Sequence, residues 1–321
     1  MSTMLNKKVS NLELLRVPQR RNSFVRILKY RWQLLTMIIL PLIWYIIFCY
    51  VPMYGLQIAF KDYNPVKGYL GSAWVGLKHF KRFFSSYYCW DVVWNTFSIS
   101  LYSLLVDFPA PILLAIIINE IRNNRFKKIL QNLTYVPHFL SVVVVCGMLY
   151  LFLSPHYGII NYFLKLLGIG PIGFLESDSW FKTVYVFSGI WQHCGWNSII
   201  YIAALVGIDP SLYEAATIDG ATRIQKIRYI SLPSIVPTIV TLLIIRIGQL
   251  MNVGFEKALL LQNSLNIRSS EIISTLVYKN GILSGEFSYA TAVGLMNSVI
   301  NLILIVFANQ VCKRLFDSSL W

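Results

Sequence analysis

Residues 214–233 read EAATIDGATRIQKIRYISLP, and this run decides how the chain is read. It is a polar stretch that lies between two long apolar segments. Asp209 precedes Pro210, an N-cap acceptor followed by a residue whose missing N–H costs nothing in a first helical turn. Ser211 and Glu214 offer a competing capping box. Gly220 breaks this first helix. Thr222 caps a second, with Ile224, Ile227 and Ile230 at helical spacing and Arg223, Lys226 and Arg228 between them. Leu232-Pro233 is predicted to end it. The expected shape is helix, glycine turn, helix and stop, standing at a membrane surface as a knob suited to a partner's groove. A DNA-reading helix is excluded, because the second helix is too short and too close to the bilayer to present a row of base contacts.

Working outward, composition gives the class. The chain has 321 residues, of which 56% are hydrophobic and 13% charged. A soluble domain carries about 25% charge, so this is an all-α polytopic membrane protein. The net charge of +14 then belongs to loops facing anionic lipid, not to a nucleic-acid interface. The five cysteines show neither CxxC spacing nor a disulfide framework, and no metal site follows. The chain has no Walker A sequence, HExxH motif or nucleophile elbow, so it is not expected to be an enzyme.

A span needs about 20 apolar residues, and six such segments are predicted. Residues 1–31 form a basic cytoplasmic tail. The first span lies within 32–55, bent at Pro41 and closed by Pro52 and Gly55. Residues 56–91 form an external segment with a turn at Asn64-Pro65 and an interfacial helix anchored by Trp74, Phe80, Phe83 and Phe84. The remaining spans are expected at about 92–118, 130–153, 183–206, 234–253 and 287–311. A short helix is expected near Ile272 to Tyr278 in the last external segment. Seventeen basic residues then fall in cytoplasmic segments and nine in external ones, which places both termini in the cytoplasm.

Polar groups inside spans are expensive and mark a cavity or a partner helix. Asp107 and Arg246 are both expected at mid-depth. They either pair with each other, or Arg246 lines the pathway or meets a neighbouring subunit. Gln249 and Asn252 are predicted on the helical face of Arg246. Trp191, Gln192, His193, Trp196 and Asn197 combine aromatic platforms with amide groups, the chemistry of a sugar site. Interhelical packing uses the same residue types. Asn297 and Asn301 are further polar positions in the last span.

The 214–233 run resembles the signature loop of the permease subunits of bacterial ABC importers. Glu214, Ala215, Ala216, Gly220, Ile230, Leu232 and Pro233 fill its fixed positions, and Asp219 and Ala221 match the sugar permeases. PMYGLQIAFKDYNP at 52–65 and FPAPILLAIIINEIR at 108–122 resemble the polysaccharide branch. The resemblance implies the type I importer permease fold, with a core at 92–312, the coupling loop at 209–233, and flanking segments 1–91 and 313–321. It implies a bacterial cell membrane location and no cofactor in this chain. ATP and Mg would be bound by two copies of a partner ATPase. The other implied partners are a second permease, an extracellular solute-binding protein and an oligosaccharide, uronate-containing ones included. A peptide, an amino acid or an anion is the alternative cargo, and a receptor or scaffold role the alternative class.

Overall fold

The computed structural model describes residues 32–316. The predicted basic tail at 1–31 lies outside the described residues. The chain divides into two compact units, up to Leu56 and from Gln57 onward.

In the first unit, α1 (Trp32–Tyr45) passes into a wide π turn over Ile46–Tyr50 and a tightly wound stretch from Val51. The predicted stop at Pro52 and Gly55 does not occur, and the helical run continues to Phe60. The change of winding shifts the hydrogen-bond ladder, so a residue without an N–H is accommodated.

The second unit opens with a hairpin that sequence reading missed, in which β1 (Lys61–Asp62) pairs antiparallel with β2 (Ala73–Trp74). Asn64 takes the turn, its side chain accepting from the Val66 N–H. α2 (Lys78–Phe84) follows. Trp74 and Phe84 are exposed, as interface anchors require, but Phe83 is buried in the core against Tyr289 and Val293. Cations of the segments between spans are neutralised locally: Lys78 pairs with Asp62 at 2.6 Å, Arg82 with Glu286 at 3.0 Å and Lys279 with Glu271 at 2.6 Å. The Lys78 hydrogen bond holds the Asp62 carboxyl below the usual carboxylate range.

The second span is one run from Cys89 to Asn119, in two parts. α3 (Cys89–Val106) and α4 (Pro109–Asn119) meet at Asp107, because Pro109 and Pro111 cannot donate back to the preceding turn. The predicted third span at 130–153 is not a single helix. α5 (Asn124–Tyr135) and α6 (Val142–Leu153) differ in direction by 100°. Pro137 ends the first part, and Ser141 caps the second by accepting from Val144 N–H. α7 (Ile159–Leu166) lies between the spans predicted at 130–153 and 183–206. Buried Asn161 fixes that loop, with its amide donating to the carbonyls of Leu153, Ser154 and Ile172.

α8 (Asp178–Val206) starts five residues earlier than predicted and is the central post of the bundle. Its far half packs Phe181, Val184 and Tyr185 against Ala258 and Leu261. Its near half packs Tyr201 and Leu205 against Ala115 and Ile235. Gly195 lets α5 approach closely: a Cβ there would stand 2.0 Å from the Thr134 carbonyl oxygen.

α9 (Pro210–Ile218) and α10 (Arg223–Lys226) form the predicted knob. The predicted stop at Leu232-Pro233 is overturned. α10 runs through a π turn at Ile227–Ser231 into α11 (Leu232–Gly248), giving one helical run from Arg223 to Gly248. The wide turn takes up the ladder offset that Pro233 imposes. Arg246 is in the last turn of α11. α12 (Phe255–Leu261) and α13 (Ile273–Tyr278) follow, and α14 (Phe287–Phe316) completes the bundle.

Candidate functional site

The knob is built from local chemistry. Asp209 caps α9 by accepting from Ser211 N–H at 2.9 Å, so the competing Ser211 cap is not used. That backbone bond holds the Asp209 carboxyl below its ordinary range. Gly220 has φ +74°, the left-handed turn that lets the chain reverse. Thr222 and Gln225 form a reciprocal capping box. Two side-chain bonds tie the halves together: Lys226 Nζ to Thr217 Oγ1 at 2.6 Å, and Tyr213 Oη to Ser231 Oγ at 2.9 Å. Glu214, Ala215 and Asp219 are exposed, and Ala216, Ala221 and Ile230 are half-buried. Leu232 and Pro233 are exposed on the continuing helix. Ile218 is 87% exposed and Ile224 77%, an apolar tip with nothing of this chain's described residues over it.

Away from the knob, a cavity of about 520 Å³ opens between α3, α8, the end of α11 and α12. Asp107, Gln192, His193, Arg246, Gln249 and Asn252 line it. Arg246 Nη2 lies 3.0 Å from Asp107 Oδ2. Gln249 and Asn252 do not extend the α11 face as predicted, because the helix ends at Gly248. They reach the cavity from the turn that follows. That turn is held by α14: Asn297 and Asn301 each donate to Asn252 Oδ1, at 3.0 and 3.1 Å, and Asn301 Oδ1 accepts from Met251 N–H. Asn297 thus props a cavity residue and is not among the residues lining the cavity.

The Trp191–Asn197 cluster divides. Gln192 donates to the Leu140 carbonyl at 3.1 Å beside the cavity. Trp191 lines a separate apolar cavity of about 480 Å³ with Phe152, Phe174 and Trp180. Trp196 stacks on His138, with ring centres 4.6 Å apart. Asn197 lines a third cavity of about 280 Å³, nearer the knob.

Sequence reasoning missed Lys257. It is 8% exposed, lines the main cavity and donates to the Tyr185 carbonyl at 2.9 Å. No carboxylate lies within ion-pair distance of it among the described residues, and burial draws its ammonium down to about 8. The available signal was the adjacent pair Glu256 and Lys257 in the otherwise apolar run FEKALLL. Among the described residues, Asp107 Oδ1 and Gln192 Oε1 are buried acceptors with no partner. The wall thus carries two cations, Arg246 and Lys257, two carboxylates, Asp107 and Glu256, and two unpaired acceptors, which suits a ligand rich in hydroxyls with a negative group for the cations.

The family model for binding-protein-dependent transport system inner membrane components matches residues 111–317. The chain is 41% identical to the polygalacturonan/rhamnogalacturonan transport system permease protein of Bacillus subtilis, over 94% of both chains. It is similar in structure to a chain of a bacterial ABC transporter involved in importing the acidic polysaccharide alginate. The TM-score is 0.84 at 41% identity, over 91% of this chain and 98% of that one. A second structure of a bacterial alginate transporter, in complex with an alginate pentasaccharide-bound periplasmic protein, matches with TM-score 0.85 at 40% identity. It covers 92% of this chain and 99% of its counterpart. The chain belongs to the inner membrane components of binding-protein-dependent transport systems, and is a multi-pass transport protein.

Proposed function

We propose that this chain is one permease subunit of an ATP-driven importer of acidic, uronate-containing oligosaccharides. The observation that carries this is the polar wall of the main cavity: Arg246 and Lys257 as cations beside the carboxylates of Asp107 and Glu256, with Asp107 and Gln192 each holding an unpaired acceptor. A uronate supplies a carboxylate for the cations and hydroxyl donors for the acceptors. The cavity volume, about 520 Å³, falls within the range of small-ligand sites. The relatives named for pectic polysaccharides and alginate support an acidic cargo.

The knob then faces the cytoplasm, and both termini lie on that side. Ile218 and Ile224 seat in a cleft of a separate ATPase, which binds ATP and Mg and performs the hydrolysis. Two ATPase copies, a second permease and an extracellular binding protein complete the assembly. Because α10 runs without a break into α11, a displacement of the knob is carried along one helix to Arg246 at the cavity.

Gentle purification of the tagged chain from its own membranes, with crosslinking, tests the assembly. A second permease and an ATPase in stoichiometric amounts are expected by mass spectrometry. A chain that emerges only with copies of itself contradicts the proposal.

A further inference from the structure

Two cavities meet at one ion pair. Along α8, Tyr185, Gly189 and Gln192 line the larger cavity, while Asn197, Ile200 and Tyr201 line the smaller one, nearer the knob. Asp107, Arg246 and Gln249 line both. The pair at this seam comes from two different runs: Asp107 from the joint of α3 and α4, and Arg246 from the last turn of α11. Among the described residues, Asp107 and Arg246 are the only charged ones lining the smaller cavity.

We infer that the Asp107–Arg246 ion pair is the barrier between an outer and an inner chamber, and that a substrate carboxylate opens it by replacing Asp107 on Arg246. The inference rests on the proposal that the larger cavity receives an acidic oligosaccharide. The exposures differ in the sense the exchange needs. The Arg246 side chain is 47% exposed and the Asp107 side chain 15%. Arg246 thus keeps a free side for an arriving carboxylate, and a guanidinium presents a fork of donors to accept it. Exchange of one carboxylate for another keeps Arg246 paired, and the charge left without a partner is that of Asp107, which lines both cavities. A neutral sugar offers only hydroxyls, whose bonds to a charged donor are weaker than a carboxylate's. It leaves the pair closed. Asp107 is in this sense a specificity-determining residue: it sets the charge that an incoming ligand must match.

Chemical accessibility of the inner chamber tests this in the whole importer in intact cells. Ile245 lines the smaller cavity and is 41% exposed. An Ile245→Cys chain is treated from outside with a membrane-impermeant cationic methanethiosulfonate, and labelling is compared with the parent chain and its five native cysteines. Labelling should be slow, and about tenfold faster once Asp107→Asn is added, equivalent to about 1.4 kcal/mol. Arg246→Gln should accelerate it alike, so the result does not depend on one variant. With the pair intact, trigalacturonate should accelerate labelling and galactotriose should not. The inference is overturned if both variants leave the rate unchanged, or if galactotriose works as well as trigalacturonate. Uptake of trigalacturonate by the unaltered importer is read separately. Its absence alongside charge-selective labelling sinks only the cargo assignment, whereas uptake with ungated labelling sinks only the barrier.

Discussion

Lys257 hangs over Tyr185: its Nζ donates to the Tyr185 backbone carbonyl at 2.9 Å and lies 4.9 Å from the centre of that ring. Tyr185 returns the contact by donating its hydroxyl to the Gly254 carbonyl at 3.2 Å. A Cβ on Gly189 would stand 3.5 Å from Nζ, an ordinary contact, so the two helices meet closely here without strain. The ammonium is thereby held at the cavity wall with one backbone partner and donors to spare. Lys257→Met should raise the KM for an acidic oligosaccharide about tenfold or more, the worth of one charge-assisted hydrogen bond. Lys257→Arg should retain most of the affinity. Uptake kinetics in proteoliposomes check both.

The same lysine gives a pH dependence. Burial is the main cause that draws its ammonium down to about 8, with Cys146 and Asp107 pulling the other way. The folded value lies below the unfolded one, so the charge is present below about 8 and lost above it. Apparent affinity for an acidic cargo should therefore fall as pH rises from about 7 to about 9, while the guanidinium introduced by Lys257→Arg stays charged throughout. A pH profile that is the same for both chains would sink this role. For stability the sign is opposite: the cost of burying the ammonium is fully present below about 8 and relieved as pH rises toward the unfolded value.

Gly195 and Gly147 make a matched pair. A Cβ on Gly195 would meet the Thr134 carbonyl oxygen at 2.0 Å, whereas one on Gly147 meets nothing within 4 Å. Gly195→Ala forces α8 and α5 apart and should cost about 1–3 kcal/mol. Gly147→Ala lies within α6 and should be neutral or stabilising by up to about 1 kcal/mol. Thermal unfolding of the purified complex checks the difference.

At the knob, Gly220 has φ +74° with open space around it. Gly220→Val meets no clash but strains the left-handed backbone by about 1–2 kcal/mol. Because α9 and α10 sit on opposite sides of this turn, the loss should appear in coupling: uptake falls while the second permease still co-purifies. Thr222→Ala removes the capping box and should cost about 1 kcal/mol, with a smaller fall in uptake.

The knob was the most legible part of the chain, because caps and a glycine turn are decided by residues within one helical turn of each other. Asp107, Gln192 and Arg246 were legible for a different reason: a polar residue in an apolar run must have a use. The 100° break before Val142 was not legible, since Pro137 in an apolar run allows a kinked span as readily as a broken one, and tertiary packing decides between them. Lys257 was missed because a polar segment between spans reads as loop. Nothing local shows that Phe255–Leu261 folds back to close a cavity. The continuous run from Arg223 to Gly248 was missed because Pro233 normally ends a helix, and the π turn that absorbs it has no sequence signature here.

ATP-driven uptake by the reconstituted importer tests the central claim most directly. The assembled complex, with its binding protein and ATP, would be offered labelled trigalacturonate or galactotriose in proteoliposomes. The account predicts concentrative uptake of the acidic trisaccharide, little uptake of the neutral one, and loss of the preference in Lys257→Met and Asp107→Asn. Equal uptake of the two sugars, or a preference untouched by either variant, would contradict it.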